Sequence, residues 1–338
     1  MPAINRRQFI AGTTTLAAAS TLSACGNPDQ QTVVRPDGVP IGPFGAKSTA
    51  LEVTEGLDLS GKTAFITGCN SGLGLETMRV LSLRGANIIG AARTLEKAET
   101  ALATLDGPGT PVVCELGDLE SVAACGETVR QLGTPIDMLI LNAGIMSLPE
   151  LEQINGIEKQ FFVNHVGHFT LTSHLLNQVE AAPQGRIVVV SSSGHTFAPE
   201  DGIDFTNLSG EKDYSPWEAY GVSKLANGLF ALELTKRLAQ SPVTANAIHP
   251  GIINTNLGRH FPWWQRIAAS LFGWTFMKEI EQGAATQTYV ATAPALAGYS
   301  GYYFADCNPL LPDPRMLNAE QAAELWAVSE ELAAGYLG

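Results

Sequence analysis

The sequence predicts one doubly wound α/β domain, a parallel sheet with helices on both faces. Three observations carry this. Short apolar runs of five or six residues recur along the chain, as strands buried on both faces do. Segments of helical periodicity alternate with them, the order in which crossover helices wind a parallel sheet. Near the start, an apolar run over residues 63–67 feeds a turn containing Gly68, Gly72 and Gly74 that opens a helix. With 338 residues and 45% apolar composition, the chain can bury one large core or two small ones.

Taken in order, residues 1–25 read as an address. Asn5-Arg6-Arg7-Gln8-Phe9-Ile10 is similar to a twin-arginine export signal, and the uncharged run to Ala24 supplies its apolar region. Leu22-Ser23-Ala24-Cys25 resembles a lipoprotein cleavage site, which would leave Cys25 lipidated. Residues 26–56 read as a flexible tether and lead-in, and the folded domain is expected over 57–338. A periplasm-facing lipoprotein of a bacterial cell envelope follows, or a cytoplasmic protein if the signal does not work. The net charge of −13 argues against a nucleic-acid partner.

Strands are expected over residues 63–67, 86–91, 111–115, 137–141, 186–191 and 243–248. Helices are expected over 72–84, 95–105, 119–132, 156–179 and 217–239. In such a sheet, ligand chemistry gathers beyond the carboxyl ends of the strands. After the first strand, Gly68, Asn70, Ser71, Gly72, Leu73 and Gly74 form a turn whose glycines let a backbone approach a pyrophosphate at a helix start. The spacing is looser than G-x-G-x-x-G, and an ordinary tight turn uses the same residues. After the second strand stands Arg93, where an NAD enzyme would carry an acid; its guanidinium suits a 2′-phosphate and favours NADP(H) over NAD(H). Small residues at Asn142-Ala143-Gly144 and Ser191-Ser192-Ser193 let a cofactor lie flat on the strand ends. Tyr220 and Lys224 are four apart on one helix face, so the cation is expected to lower the phenol's pKa.

Thr67-Gly-Cys-Asn-Ser-Gly-Leu-Gly74, Asn142-Ala-Gly144, the Ser192 strand end, Tyr220-x-x-x-Lys224 and His249-Pro-Gly251, in this order, resemble the short-chain dehydrogenase/reductase family. Asn164-His-Val-Gly-His-Phe169 and Tyr303-Phe-Ala-Asp-Cys307 are similar to its retinol dehydrogenase and WW-domain oxidoreductase branch. The likeness covers about residues 44 to 335. It implies a Rossmann-type sheet, with Tyr220 as general acid/base and Lys224 tuning it and holding the nicotinamide ribose. It also implies Ser192 as the hydrogen-bonding partner of the substrate oxygen, with Ser191 as the alternative, and Asn164 as the holder of a relay water. Asn142, Ala143 and Gly144 would line the cofactor, and Pro250, Gly251, Ile253 and Thr255 would hold its carboxamide and diphosphate end. Glu115, followed by Leu116, stands where the family usually has an adenine-contacting Asp, and Asp118 is the alternative. Cys69 replaces a small residue in the turn.

His165, His168, His195 and His249 have no accompanying acid triad, and Cys69, Cys114, Cys125 and Cys307 have no metal spacing, so no metal is expected. Buried free thiols are the expectation for those cysteines. Phe261, Trp263, Trp264, Phe272, Trp274 and Phe276 suggest an aromatic lid over about 256–280 for an apolar small-molecule substrate, although packing on its own core or contact with lipid uses the same composition. The sequence leaves homo-oligomerisation open. The expected function is NADP(H)-dependent interconversion of an apolar carbonyl compound and its alcohol; the alternative is a membrane-anchored nucleotide- or ligand-binding lipoprotein with little turnover.

Overall fold

The computed structural model describes residues 35–253 and 277–338. Cys25, Thr255 and most of the expected lid lie outside them. The six expected strands are β1 (Thr63–Thr67), β2 (Asn87–Ala92), β3 (Gly109–Val113), β4 (Met138–Leu141), β7 (Arg186–Val190) and β8 (Thr244–His249). Two short strands, β9 (Tyr303–Ala305) and β10 (Asn308–Leu310), extend the edge, giving the order β10-β9-β8-β7-β4-β1-β2-β3. Every pairing is parallel except β9 with β10. From β1 the chain winds one way through β2 and β3 and the other way through β4, β7 and β8. The winding reverses between β1 and β4, where sheets of this kind bind ligands.

Alternation along the central strands divides the core into two layers. Phe65, Leu139, Leu141, Ile187 and Val189 face one side, and Ala64, Ile66, Met138, Ile140, Val188 and Val190 the other. The described cysteines are buried free thiols.

The helix expected over 156–179 is not continuous. Asn155 and Gly156 both have positive φ, at 52° and 78°, and close a hairpin of β5 (Gln153–Ile154) and β6 (Ile157–Glu158). Such an Asn-Gly pair suits a two-residue hairpin turn better than a helix start. A short turn at Lys159–Phe161 and a wide π segment at Phe162–Val166 follow before the α-helix Gly167–Glu180. Part of the stretch expected as tether is packed on the body: Val39, Ala50 and Val53 are buried, and Thr49 and Glu52 form a reciprocal capping box on Ala50–Val53. The packed body therefore begins upstream of residue 57.

The helix Ala319–Leu332, capped by Asn318, packs against the helix Pro216–Arg237. Its Trp326 ring meets Phe169 edge-on at 4.9 Å, Phe230 at 5.9 Å and the Arg237 guanidinium at 4.0 Å. Trp326→Ala is expected to cost about 2–4 kcal/mol of unfolding free energy in a urea titration, from lost burial and the lost cation–π contact. A cost below about 0.5 kcal/mol would show that the helix does not anchor there.

Candidate active site

At the end of β1, the Thr67 hydroxyl accepts the N–H groups of Asn142 at 2.9 Å and Ala143 at 3.0 Å and meets His168 Nε2 at 2.9 Å. Burial lowers the pKa of His168 to about 4, so the ring is neutral. Its Nδ1 donates to the Asn164 carbonyl at 3.0 Å, which leaves Nε2 to accept from Thr67. The turn then runs in the left-handed region at Gly68 (φ 69°) and Gly72 (φ 56°), and the Gly68 and Cys69 N–H groups bond Ala91 O of β2. A Cβ on Gly74 would collide with the Gly68 carbonyl and the Asn142 amide. Ser71 caps the twelve-residue helix without a side-chain hydrogen bond, leaving first-turn N–H groups for an anion. Asn70 and Ser71 are exposed at this turn, Leu73 is buried, and Gln287 Nε2 ties the Thr77 hydroxyl to the Asn142 side-chain Oδ1. This cradle fits a dinucleotide. Cys69 is fully buried beneath the turn, and burial pushes its thiol up to about 11, so it packs and does not react.

Arg93 is exposed just beyond β2, two residues past Ala91. At the end of β3, Asp118 caps the helix Leu119–Gln131 through Glu120 and Ser121 N–H groups, while among the described residues the Glu115 carboxylate accepts from Gly117 alone, at 3.1 Å. Glu115 is therefore better placed than Asp118 to accept from an adenine. Leu116 is buried under Gly167.

Beyond β7 the two serines part company. Ser191 is buried and its hydroxyl donates to Lys224 O at 2.7 Å, whereas Ser192 is half-buried, accepts the Gly194 N–H at 3.0 Å and lies close enough to Tyr220 to lower its phenol by hydrogen bonding. Gly194 lies so close to the Tyr220 ring that a Cβ there would meet it at 2.7 Å. Lys224 Nζ donates to Val190 O at 3.0 Å and stands 5.7 Å from the centre of the Tyr220 ring. The lysine was expected to pull the phenol down; instead burial pushes Tyr220 up to about 12, and the Ser192 hydrogen bond only partly opposes it. The physical reason is that the amine lies over the ring and against a carbonyl, and is itself lowered to about 8 by burial. Burial thus shifts both groups toward their neutral forms.

Asn164 sits in the π segment, where such bulges commonly shape sites. Its amide clamps both polar groups of Ile145, at 2.8 and 2.9 Å, and donates to Ser223 Oγ at 2.9 Å. A Cβ on Gly144 would lie 3.1 Å from Asn164 Oδ1 and 3.5 Å from Lys224 Nζ, so these two face the same small residue. After β8, His249 Nδ1 accepts from Ser193 N–H at 3.1 Å, Gly251 (φ 106°) packs under Lys278, and Ile253 reaches Leu73 and Gly283 at the glycine-turn helix. Pro250 is buried beside them. Among the described residues no group of three or more His, Cys, Asp or Glu is placed to hold a metal.

Several residues outside the sequence expectation complete the site. Thr67, His168, Ser223 and Gln287 support it from behind. Phe197 and Trp217 meet at 5.5 Å with their rings tilted, and Trp217 meets Tyr220 edge-on at 6.4 Å, forming an aromatic wall beside Tyr220. Arg315 pins the loop that carries Phe197 through Ala198 and Pro199 carbonyls. Nothing in the local sequence marks these long-range partners; only the Tyr-to-Trp spacing of three, one helical turn, signals the inner part of the wall.

A family model described as short chain dehydrogenase matches residues 62–265. The chain is 41% identical over 303 residues to the chloroplastic short-chain dehydrogenase TIC 32 B of Brassica napus, covering 86% of this chain and 94% of that one. It is 39% identical over 292 residues to human retinol dehydrogenase 14, covering 80% and 86%, and 36% identical over 306 residues to the human WW domain-containing oxidoreductase, covering 87% and 73%. Among solved structures, one of an uncharacterised protein from Mycobacterium paratuberculosis superposes with a TM-score of 0.67 at 34% identity, covering 83% of this chain and 96% of that one. The curated relatives are chloroplast, human and other eukaryotic proteins, and none is named as a periplasmic lipoprotein. This overturns the expected bacterial cell-envelope location. Among the described residues no helix is long and apolar enough to cross a membrane.

The burial of Lys224 sets a pH dependence. Between its value of about 8 and the ordinary 10.5, the unfolded chain holds a proton that the folded chain lacks, so this group's contribution to stability rises with pH. Tyr220 opposes it only above the ordinary phenol value of 10. The stability of the protein minus that of Lys224→Met should increase by on the order of 1–3 kcal/mol from about pH 7 to about pH 10. A flat difference would mean that the amine titrates normally.

Proposed function

The chain belongs to the short-chain dehydrogenase/reductase family, and from that premise we propose that it interconverts a bulky apolar carbonyl compound and its alcohol with NADP(H). The observation that carries this reading is Tyr220, hydrogen-bonded by Ser192, next to Lys224 and at the inner end of an aromatic wall. The nicotinamide, when bound, supplies or takes up the hydride. Ser192 and Tyr220 hold the substrate oxygen between two hydroxyls. In the reducing direction Tyr220, which keeps its proton at neutral pH, gives it to that oxygen as negative charge develops there. The Lys224 amine, fixed by Val190 O, offers a proton or positive charge to the phenolate left behind. Asn164 keeps the Ile145 backbone and Ser223 in place on the far side of Gly144.

Preference for NADP(H) is supported by Arg93, an exposed guanidinium next to the strand end that fastens the glycine turn. The apolar substrate class is supported by the wall itself: Phe197 is 52% exposed, and an apolar body laid against it would leave water. Loss of NADPH absorbance on adding a panel of apolar aldehydes and ketones tests the reading; silence across the panel, with NADPH bound, would defeat it.

Tyr220→Phe is expected to bind NADPH nearly as well as the parent while losing at least ~10²-fold in turnover, the usual worth of an acid/base group. Near-normal turnover would remove Tyr220 from the chemistry. Arg93→Ala should weaken NADPH by about 1.5–3 kcal/mol in a binding titration and change NADH little. Equal weakening of both would make Arg93 structural.

A further inference from the structure

At the sheet edge two consecutive residues that are not glycine sit in the left-handed region. Asp306 (φ 51°) and Cys307 (φ 59°) make up the whole turn between β9 and β10, where Ala305 pairs with Asn308. A two-residue hairpin with positive φ at both places prefers glycine at the second, so Cys307 is costly there. The turn is held from outside. The Thr286 hydroxyl accepts the Cys307 N–H at 3.2 Å, and Asn308 Nδ2 donates to Phe44 O at 2.7 Å and Asp306 O at 2.9 Å. Strain that the surroundings keep in place points to a use.

What the turn presents is the Asp306 carboxylate, which accepts from Lys278 Nζ at 2.6 Å. The Lys278 side chain is only 12% exposed. Its stem lies across Gly251, where a Cβ would meet Lys278 Cδ at 2.7 Å and Cε at 2.9 Å. Its N–H donates to Ile252 O at 2.8 Å, and Ile253 pairs with it in a parallel bridge. Gly251, Ile252 and Ile253 are thus bound to Lys278 by main chain and stem, and Lys278 is bound to the sheet edge by charge. Ile253 in turn packs on Leu73 of the glycine-turn helix. Neighbouring His249, lowered to about 4 by burial and then by Lys278, is neutral and leaves the ammonium to Asp306. The Asp306 side chain is half exposed, so the pair adds little to global stability and acts locally.

We propose that the Lys278–Asp306 ion pair holds the loop Gly251–Ile253 against the cofactor cradle, making both residues positioning residues for the nicotinamide and diphosphate end of NADP(H). The inference rests on the proposed reading of that loop as a holder of the cofactor.

The test is a binding titration of the full chain with NADPH and with adenosine 2′,5′-bisphosphate, which carries the adenine end and lacks the nicotinamide. Lys278→Met and Asp306→Asn should each weaken NADPH about fivefold and leave the bisphosphate within about twofold. Asn at 306 removes the charge and still tolerates the left-handed turn. The double variant should lose no more than either single one, and Lys278→Arg should keep the parent affinity. Melting temperatures should stay within about 2 °C of the parent. In cofactor-free protein the amide of residue 278 should exchange with deuterium at least about fivefold faster in both single variants. Equal weakening of the two nucleotides, or unchanged NADPH affinity in a folded variant, overturns the inference. Failure of both variants to fold would make the pair a support of the whole fold and overturns it too. A parent that binds NADPH yet turns nothing over fails the proposed function alone; one that binds no nicotinamide nucleotide fails both.

Discussion

The hydroxyl of Thr67 is the fastening on which the site depends. It stands at the point where the sheet's winding reverses, and it joins three elements that are far apart in sequence: the glycine turn, the chain leaving β4, and the helix behind Asn164. Two backbone N–H groups that would otherwise end in a ligand crevice are satisfied by one side chain. Neutral His168 completes the chain of donors, and burial, by lowering it to about 4, keeps it neutral well into the acid range. Gly74 is required because this seam is so close: with Asn142 drawn onto Thr67, no room remains for a Cβ at position 74.

Above that seam, burial and charge compete, and burial prevails at both Tyr220 and Lys224. Tyr220 and Lys224 each sit in a low-dielectric setting that raises the acid and lowers the base. With values of about 8 and about 12, Lys224 still carries its charge at neutral pH and Tyr220 keeps its proton; the cation is in place before any phenolate forms. The backbone carbonyl of Val190 and the hydroxyl of Ser192 provide the fixed dipoles that would stabilise those charges.

Much of this was legible in the sequence, and the reasons differ by element. The six central strands are apolar, continuous and bounded by turn residues, so their existence and nearly their limits could be read. β9 and β10, three residues each, are too short for any periodicity to show. The hairpin at Asn155-Gly156 carried a local signal, but the apolar helical pattern following it was stronger and absorbed it. The local motifs placed Gly68, Gly72, Gly74, Ser192, Tyr220 and Lys224 correctly at one end of the sheet. What sequence could not supply was the balance between burial and charge at Tyr220, since spacing reveals that two side chains share a helix face but not how much solvent each has lost. The family resemblance favoured Ser192 with Ser191 as the alternative; what sequence could not foresee is that the Lys224 carbonyl takes the Ser191 hydroxyl.

The wall and the floor of the site follow opposite rules. Phe197 and Trp217 offer apolar area that is partly open, and the loop beneath them is held both by Arg315 through backbone carbonyls and by the burial of Ala198 and His195. The bidentate pairing of Arg315 with Asp313 keeps that guanidinium aimed, so an ion pair orders an apolar surface without entering it. At the floor, nearly every polar atom is paired within the protein and the chain tolerates no added Cβ at Gly194 or Gly221. A substrate would therefore meet adaptable apolar area first and fixed hydrogen-bonding geometry last. Selection by size and greasiness would reside in the wall, and the chemistry in a floor that scarcely changes when the wall does.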